Sequence, residues 1–395
     1  MTIQIKKYQS FNPELTDLWR TFERQAVFHG FQNMHWLNRW QSMVGQSLNG
    51  ARLNICVVRD AGQVIAILPL YIRRSFGIAV LEWMGGTQCD FHGPLLLPGS
   101  VMFDADRFAE IWATIQKTVN PFDVINLQRQ TQLVGEQPNP FVAFLDNRRH
   151  DDNYLVDLHT DWETYYSGQF GKKTRRTFKR KHKKLSAIGE LKFQVVANQQ
   201  DHDDLLSKLY AMKRERFHNT GLFDLFSRQE IRDFYRIEGK LGATTSTHLS
   251  VVTVDDDIVA IHWGMIHKDT FYFILPAFND AYARCSPGHV LISHLIQWAM
   301  ENDMATFDFT IGPETYKSDW CNFRYDLCEH IRPVTLRGYG FIGLNLPRRK
   351  LQNIQWLKNL VRAWRRKRSS LSSPGPEHKA PQFTHSPDQM LGSAE

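Results

Sequence analysis

The sequence predicts an α+β protein (mixed α/β) in which mostly antiparallel, mixed sheets are flanked by helices. Apolar residues recur at helical spacing in several stretches, and short alternating runs bounded by turn residues indicate strands. Both kinds of segment follow one another in two successive blocks. With 395 residues, 42% of them hydrophobic and 23% charged, the chain has ordinary globular composition and the length of two to three domains of about 150 residues.

The first block, residues 1–150, alternates helical and strand-like segments. Asp60-Ala61-Gly62 reads as the turn of a hairpin between its first two strands. In chain order the predictions are two helices between Pro13 and Val44 with a break near Gly30, strands at Arg52–Arg59, Val64–Ile72 and Ile78–Met84, a helix at Phe103–Val119 and a strand at Asp123–Gln128.

The second block, residues 151–345, places an antiparallel meander between helices. Ser227 and Glu230 have the spacing of a capping box at a helix start. In chain order the predictions are a strand at Asn153–Leu158, helices at Trp162–Phe170 and Lys172–Lys184, a strand at Leu191–Val196, helices at Asp201–Phe217 and Ser227–Leu241, strands at His248–Val254, Ile258–His267 and Thr270–Pro276, a helix from Pro287 to Asn302 and a strand at Thr306–Ile311.

The formal net charge of +7 conceals two concentrated cationic segments. Residues 172–184 and 348–368 each hold nine basic side chains and no acidic one, and the rest of the chain has 30 basic against 41 acidic residues. This distribution argues against a uniformly basic nucleic-acid-binding surface and favours a local anionic partner. Residues 346–368 have the pattern of a basic amphipathic helix suited to an anionic membrane surface, or to docking on the body. The polar residues 369–395 are predicted to be disordered.

Cysteine usage and hydropathy indicate a reduced, cytoplasmic protein. The five cysteines are an odd number and form no CxxC pair, so a structural zinc site or a disulfide framework fits poorly, and no metal is expected. The N-terminus has no apolar signal region, and no apolar run reaches the roughly 18–20 residues of a membrane span. We therefore expect a cytoplasmic protein that can also bind peripherally to the inner face of the membrane.

A motif near the end of the second block carries a resemblance to a known family. Ser286-Pro287-Gly288, a helix through Trp298-Ala299, and then the run from Phe307 to Trp320 (FDFTIGPETYKSDW) resemble the CelD-like acetyltransferases, relatives of the FemAB-type transferases within the GNAT superfamily. The basic segment 172–184 and Asp90-Phe91-His92-Gly93-Pro94 resemble other parts of the same family pattern. The resemblance covers roughly residues 5–345 and implies two tandem GNAT-like acyltransferase domains.

The resemblance implies acetyl-CoA or another acyl-CoA as co-substrate. The pyrophosphate of such a donor binds at a helix N-terminus, where backbone N–H groups are free. This points to Arg284, Ser286, Gly288 and His289, although Pro287 stands where the superfamily pattern has its first glycine. The alternative reading of this segment is an ordinary helix start.

The chemistry of acyl transfer to an amine suggests further residues. A direct attack needs a neutral amine, and therefore a base or a water chain near pH 7. The candidates are Asp308, Glu314, Asp90 and His92, with His262 more simply read as a core histidine. Asp90 and His92 are two residues apart and would share one face of a strand. Candidate phosphate-binding and acceptor-binding residues are Lys317, Tyr316, Trp320, Arg175, Arg176 and Arg180.

We therefore predict an acyl-CoA-dependent N-acyltransferase. Its acceptor would be an amine on a small molecule or on a lipid-linked precursor of a cell-envelope polysaccharide, and nucleic acid is not the expected partner. Two alternatives remain open at this point: a FemAB-type aminoacyl-tRNA-dependent ligase, and a non-catalytic peripheral membrane factor for polysaccharide biosynthesis.

Overall fold

The computed structural model describes residues 3–48, 51–196, 199–237, 239, 241–312 and 314–352. The strands are β1 Ile3–Tyr8, β2 Arg52–Leu53, β3 Ile55–Asp60, β4 Gln63–Leu68, β5 Leu70–Ser75, β6 Ile78–Trp83, β7 Leu95–Leu96, β8 Val124–Gln130, β9 Leu133–Val134, β10 Gln137–Pro138, β11 Arg148–Asp157, β12 Leu191–Val195, β13 Thr245–Val254, β14 Asp257–His267, β15 Thr270–Phe278, β16 Thr306–Ile311 and β17 Phe323–Pro333. The α-helices are α1 Pro13–Glu23, α2 Met34–Met43, α3 Ala105–Val119, α4 Pro140–Ala143, α5 Trp162–Gln169, α6 Lys172–Ser186, α7 Gln199–Thr220, α8 Gln229–Tyr235, α9 Pro287–Glu301, α10 Thr315–Trp320 and α11 Leu336–Gln352.

The first helix shows how the sequence sets local structure. The Asn12 side chain accepts a hydrogen bond from the backbone N–H of Leu15 (2.9 Å), and Pro13 occupies the first helical position, where its missing N–H costs nothing. Leu15, Trp19 and Phe22 then recur on one face and are buried. The amphipathic pattern thus buries an apolar stripe against the sheet, as the sequence predicts.

One eleven-stranded sheet connects the two blocks. Its order is β12-β13-β14-β15-β16-β11-β17-β8-β6-β5-β2, and β17 of the second block pairs antiparallel with β8 of the first. A separate four-stranded sheet has the order β1-β3-β4-β7. The predicted class, mixed α+β with mostly antiparallel strands flanked by helices, is confirmed.

Each block contains one parallel strand pair connected by a helix. In the first block, β6 and β8 are parallel and α3 lies between them in sequence; in the second, β15 and β16 are parallel and α9 lies between them. We call residues 3–147 the N-terminal half and residues 148–352 the C-terminal half. The predicted division at residue 150 falls inside β11, and the division into two domains remains a proposal.

The halves share a hydrophobic core rich in aromatic residues. Trp36 of α2 packs against Trp263 of β14, with ring centroids 5.8 Å apart, and against Phe234 of α8 at 4.7 Å. All three side chains are fully buried. Because burial of large aromatic side chains dominates core energetics, this contact fixes how the two halves face each other.

The predicted helix Ser227–Leu241 was wrong in its extent and in its cap. The helix α8 begins at Gln229 and ends at Tyr235, with no side-chain hydrogen bond at its N-cap. Ser227 Oγ instead donates to the Asp224 carbonyl (2.7 Å), and Glu230 accepts from the Arg228 side chain (2.8 Å). Both residues of the expected capping box are therefore engaged in other local bonds.

The helix α11 covers only the beginning of the predicted basic amphipathic segment 346–368. The remainder of that segment and the predicted disordered tail 369–395 lie outside the described residues. Across the described ranges, no helix is both long and apolar enough to cross a membrane.

Candidate active site

The parallel strands β15 and β16 form a wedge. They pair at three positions, from Thr270 opposite Thr306 to Tyr272 opposite Asp308, and then run on without pairing to each other. We call this gap the C-terminal wedge. Thr310 lies beside it in the left-handed region (φ 58°), which is rare for a β-branched residue, and its hydroxyl donates to the Phe273 carbonyl (3.4 Å). The separation leaves strand edges that are open to an extended ligand.

Asp308 occupies the last paired position, at the base of the wedge. It is 4% exposed, and its Oδ1 accepts from the Thr310 N–H (2.7 Å) while its Oδ2 accepts from Asn153 Nδ2 (3.3 Å). Burial raises the pKa of this carboxyl to about 7, with the charge of Asp90 acting in the same direction and the Thr310 N–H, Asn153 and Lys317 opposing it. A carboxyl that titrates near neutral pH suits a general base.

Asp308 also lines a cavity of about 630 Å³ between the two halves. Segments 27–29 and 131–137 of the N-terminal half form one side, and Asn153, Tyr272 and Asp308 lie on the other. Asn153 Oδ1 and His267 Nε2 face this region without a hydrogen-bond partner in the described part of the chain. We call it the interface cavity; its polar groups surround the carboxyl of Asp308.

Asp90 approaches the same region from the N-terminal half. Burial raises the pKa of its carboxyl, while the Arg129 guanidinium and the Lys317 ammonium lower it. Asp90 and Asp308 thus lie within electrostatic reach of each other although they belong to different halves. The expectation that Asp90 and His92 share a strand face was wrong, because residues 89–94 form a loop with only an isolated bridge at His92.

The turn after β16 is closed by Lys317. Its Nζ donates to the Ile311 carbonyl (2.6 Å) and pairs with Glu314 (3.1 Å), and the residue is only 4% exposed. Gly312 has φ 141°, and an added Cβ would overlap the Glu314 carboxylate and lie 2.8 Å from Lys317 Nζ. Phosphate binding by Lys317, which would require new contacts beyond these, stays a prediction.

Trp320 and Tyr316, two further candidate residues of the run from Phe307 to Trp320, pack against aromatic rings. Trp320 is buried against Phe170, with ring centroids 4.8 Å apart, and its carbonyl accepts from the Tyr165 hydroxyl. Tyr316 is half-buried and contacts Phe309 edge-on at 6.3 Å. These contacts hold α10 in place. A direct role of Trp320 or Tyr316 in acceptor binding remains a prediction.

The N-terminus of α9 carries no acidic residue and no side-chain cap. Ser286 precedes the helix in the left-handed region (φ 54°), and Lys181 of α6 donates to its Oγ (2.8 Å). The exposed Arg284 lies just before it, and the nearest atom to a Cβ at Gly288 would be a Phe278 ring carbon at 3.5 Å. The helix start is therefore positive and sterically open, as a phosphate site requires.

His289 differs from the other three predicted donor-binding residues. Its ring packs on Phe178, with centroids 3.4 Å apart, and on Trp320 at 4.8 Å. Burial, together with the charges of the nearby Lys181 and His182, lowers its pKa to about 3. His289 is thus a neutral, packed ring, and a charge-based phosphate contact from it is not expected.

The basic helix α6 has no acidic partner within the described ranges. None of its nine lysines and arginines forms an ion pair with a described residue. Arg175 and Arg176 line a groove of about 540 Å³ between α5, α6 and α9, whereas Arg180 is exposed and does not line it. The three arginines therefore do not converge on one point.

Several polar residues near the wedge were not identified from the sequence. Lys213 of α7 has its pKa lowered to about 8 by burial and by the charges of Arg216 and Lys317. Arg216 lies over the Phe278 ring at 4.7 Å, and Asn153 and Arg129 contact the site as described above. These residues come from separate helices and strands with no local motif, so only the tertiary structure reveals them.

His262, by contrast, is fully buried and its ring stacks on that of Phe273, with centroids 4.6 Å apart, in agreement with its interpretation as a core histidine.

No metal centre is apparent in this region. Within the described ranges, no group of three or more histidine, cysteine, aspartate or glutamate side chains is placed to hold a metal ion.

The comparison with protein families identifies a domain type. Residues 172–318 match the family model described as "Acetyltransferase (GNAT) domain". No curated protein sequence matches the chain.

Solved structures with similar folds cover most of the chain. The crystal structure of FemX is 10% identical, with a TM-score of 0.55, covering 86% of this chain and 99% of that one. A conserved protein of unknown function from Bacteroides thetaiotaomicron is 11% identical, with a TM-score of 0.50, covering 85% and 100%. The C-terminal domain of a putative lysylphosphatidylglycerol synthetase from Agrobacterium fabrum is 14% identical, with a TM-score of 0.49, covering 79% and 95%. At these identities the likeness shows the fold alone. The chain therefore shares the fold of FemX and of the Bacteroides protein over most of its length, and its residues 172–318 are similar to an acetyltransferase (GNAT) domain.

Proposed function

We propose that the protein is an acyl-CoA-dependent N-acyltransferase that acts on an amine, and that it is related to the CelD-like acetyltransferases. The observation that carries the proposal is the position of Asp308. This carboxyl, with a pKa of about 7, lies at the base of the C-terminal wedge and at the wall of the interface cavity. A donor in the wedge and an acceptor in the cavity would meet beside it.

The donor site in this proposal consists of the wedge and the N-terminus of α9. An extended pantetheine chain can pair with the open edges of β15 and β16, and the positive start of α9 with Lys181 suits the pyrophosphate. Arg284 and Gly288 are the further candidates here. The wedge fixes the thioester relative to Asp308, and such positioning supplies much of the rate enhancement of direct acyl transfer.

The acceptor amine in this proposal enters the interface cavity. Asp308 takes the proton that the amine must lose, with Asp90 as the second carboxylate that keeps its pKa high. When the amine attacks, the thioester C–S bond breaks, an amide C–N bond forms, and the coenzyme leaves as the thiol. The acceptor belongs to a small molecule or to a precursor of a cell-envelope polysaccharide, and the enzyme works in the cytoplasm or on the inner membrane face.

Calorimetry and a coupled assay test this proposal. We expect stoichiometric acetyl-CoA binding, and consumption of acetyl-CoA in the presence of a panel of amines and amino sugars. The matched variants are Asp308→Asn, which should bind acetyl-CoA but turn over slowly, and Asp319→Asn, an exposed aspartate nearby that should behave as wild type. Failure of the wild-type protein to bind any acyl-CoA would refute the proposal.

The unpaired helix α6 favours a second candidate, a FemAB-type aminoacyl-tRNA-dependent ligase. Nine cations without acidic partners can neutralise RNA phosphates, and such binding weakens steeply with salt. Tight, salt-sensitive binding of aminoacylated tRNA that is lost when Arg175, Arg176 and Arg180 are changed to glutamine would favour it. Weak, non-selective RNA binding would leave the acyl-CoA reaction as the better proposal.

Membrane association is a separate matter from catalysis. Flotation with vesicles of anionic phospholipid, using the full chain and a chain that ends at residue 347, tests the role of the segment 348–395, which contains the basic residues of 348–368. Binding only by the full chain would assign the membrane contact to that segment. A protein that floats with vesicles but neither binds acyl-CoA nor transfers an acyl group would support a non-catalytic membrane factor.

A further inference from the structure

The N-terminal half contains a second wedge, between β6 and β8. These parallel strands pair at Val80 opposite Val124 and at Leu81 opposite Ile125, and then separate. A cavity of about 490 Å³ lies where they diverge, with Glu82 and Trp83 from β6 and Asn126, Gln128 and Arg129 from β8 in its wall. We call it the N-terminal cavity; its volume is within the range of small-molecule sites.

Two buried side chains in the wall of this cavity have unused hydrogen-bonding atoms. His92 is 7% exposed and its Nε2 has no partner in the described part of the chain; Asn126 is 8% exposed and the same holds for its Oδ1. Leaving such atoms unpaired away from water costs on the order of 1–3 kcal/mol each, so their presence indicates that something polar contacts them.

Both free atoms are acceptors. His92 Nδ1 lies 3.2 Å from the Gln128 carbonyl, which can only accept, and this contact places the proton on Nδ1 and a lone pair on Nε2. The Gly86 carbonyl also acts on the ring and raises its pKa, but Nε2 makes no hydrogen bond of normal geometry with it. Burial lowers the pKa of His92 to about 3, so the ring stays neutral. Asn126 Nδ2 donates to Glu82 Oε1 (2.9 Å), which leaves its Oδ1 as an acceptor. A ligand must therefore offer O–H or N–H groups to both atoms.

Two of the three arginines that line the cavity are paired with carboxylates. Arg73 forms a two-pronged pair with Glu82 (3.0 Å for each bond), and Arg228 pairs with Glu230 (2.6 Å). Arg129 donates to the Cys89 carbonyl (2.6 Å). Arg129 bonds carbonyls and not a carboxylate, so its charge is available, but the two acceptor atoms His92 Nε2 and Asn126 Oδ1 favour a ligand that carries O–H or N–H groups over a phosphate or carboxylate.

We propose that the N-terminal cavity binds a sugar through its free hydroxyl or amino groups. A hexose-sized ring fits the volume, and its donors match His92 Nε2 and Asn126 Oδ1. Arg129 lines the cavity and also lowers the pKa of Asp90, so the cavity adjoins the carboxylate pair of the candidate active site. The assignment goes beyond the proposed function, because that proposal places the reacting amine in the interface cavity and the sugar would occupy a separate cavity; sugar binding therefore does not depend on the reaction.

Saturation-transfer NMR and calorimetry with glucosamine and glucose, on the full chain, test this site. We expect saturable binding that is weakened about tenfold or more by His92→Phe and by Asn126→Leu. His248→Phe is the matched control: it removes another buried histidine with both ring nitrogens unpartnered among the described residues, outside the cavity. Thermal unfolding of each variant shows that it is folded.

The outcomes separate this inference from the proposed function. Binding of neither sugar, binding unaffected by both cavity variants, or displacement of the sugar by inorganic phosphate would each overturn the sugar site. Acetyl-CoA binding is measured on the same samples. If it persists while sugar binding is absent, only the sugar site fails; if acetyl-CoA binding is absent while the sugar binds, the proposed function fails and the sugar site stands.

Discussion

The two wedges of this protein have the same backbone plan and different chemistry. In each half a parallel pair separates after two or three paired positions, and a non-glycine residue near the end of the second strand is left-handed: Arg129 (φ 55°) and Thr310 (φ 58°). Such residues are costly and often mark functional sites. The repeated geometry indicates that separation of the strands creates a site in each half.

The helices that connect the two strands of each wedge differ in charge. Asp104 caps α3 through the Arg107 N–H (2.9 Å), and Asp106 lies in the first turn, so this helix start is satisfied and negative. The start of α9 has no acidic residue, and the Lys181 ammonium donates a hydrogen bond to Ser286 Oγ there. Of these two helix starts, that of α9 is the one suited to a phosphate, while the N-terminal cavity presents acceptors for a neutral ligand.

The largest effect is expected from Asp308→Asn. Removing a general base typically lowers the rate about 10²-fold or more. Asn preserves the hydrogen bond from the Thr310 N–H, so acetyl-CoA binding should be unchanged. Steady-state kinetics with calorimetry checks both parts, with Asp319→Asn as control. Unchanged turnover would show that catalysis in the C-terminal wedge does not depend on this carboxyl.

The pH profile gives the next effect. A base with a raised pKa works when deprotonated, so kcat/KM should increase up to tenfold per pH unit below about pH 7 and level off above it. Ionisation of the acceptor amine is present in wild type and variant alike. The rise of kcat/KM with a midpoint near pH 7 should therefore be seen in the wild type and be missing in Asp308→Asn. Identical pH profiles in the two proteins would contradict the role of Asp308 as general base.

A smaller effect is expected at the start of α9. Lys181→Ala removes a cation beside Ser286 and should weaken acetyl-CoA binding about fivefold, which corresponds to about 1 kcal/mol. Lys183→Ala, an exposed lysine on the same helix, is the control. The difference should shrink at high salt. Equal affinities for the two variants at low salt would remove Lys181 from the donor site.

The smallest effect on donor binding is expected at the corresponding helix of the N-terminal half. Asp104→Ala removes the cap of α3 and should lower the free energy of unfolding by about 1 kcal/mol. Acetyl-CoA affinity should not change, because this helix start has no phosphate to bind. Denaturant unfolding and calorimetry measure the two quantities. A change in acetyl-CoA affinity without a change in the free energy of unfolding would mean that the start of α3 also takes part in donor binding.

The sequence by itself determined most of the helices and strands and the motif around Asp308. It did not predict β1 or β17, and the single strand predicted at Val64–Ile72 is divided between β4 and β5, which belong to different sheets. Periodicity and turn residues are local, so α3 and the β13–β15 meander were predicted close to their observed bounds. The N-cap of α8 was predicted wrongly, because Ser227 bonds to the Asp224 carbonyl and Glu230 accepts from Arg228. Local patterns do not show which of several partners a polar side chain takes.

Only the tertiary structure decided how the site is assembled. Asp90, Asn153 and Asp308 are far apart in the chain and meet because β8 and β17 join the halves into one sheet. The same packing raises the pKa of Asp308 by removing water, places His289 in an aromatic contact, and leaves His92 and Asn126 facing a cavity. Desolvation depends on every neighbour at once, and the sequence specifies those neighbours only through the complete fold.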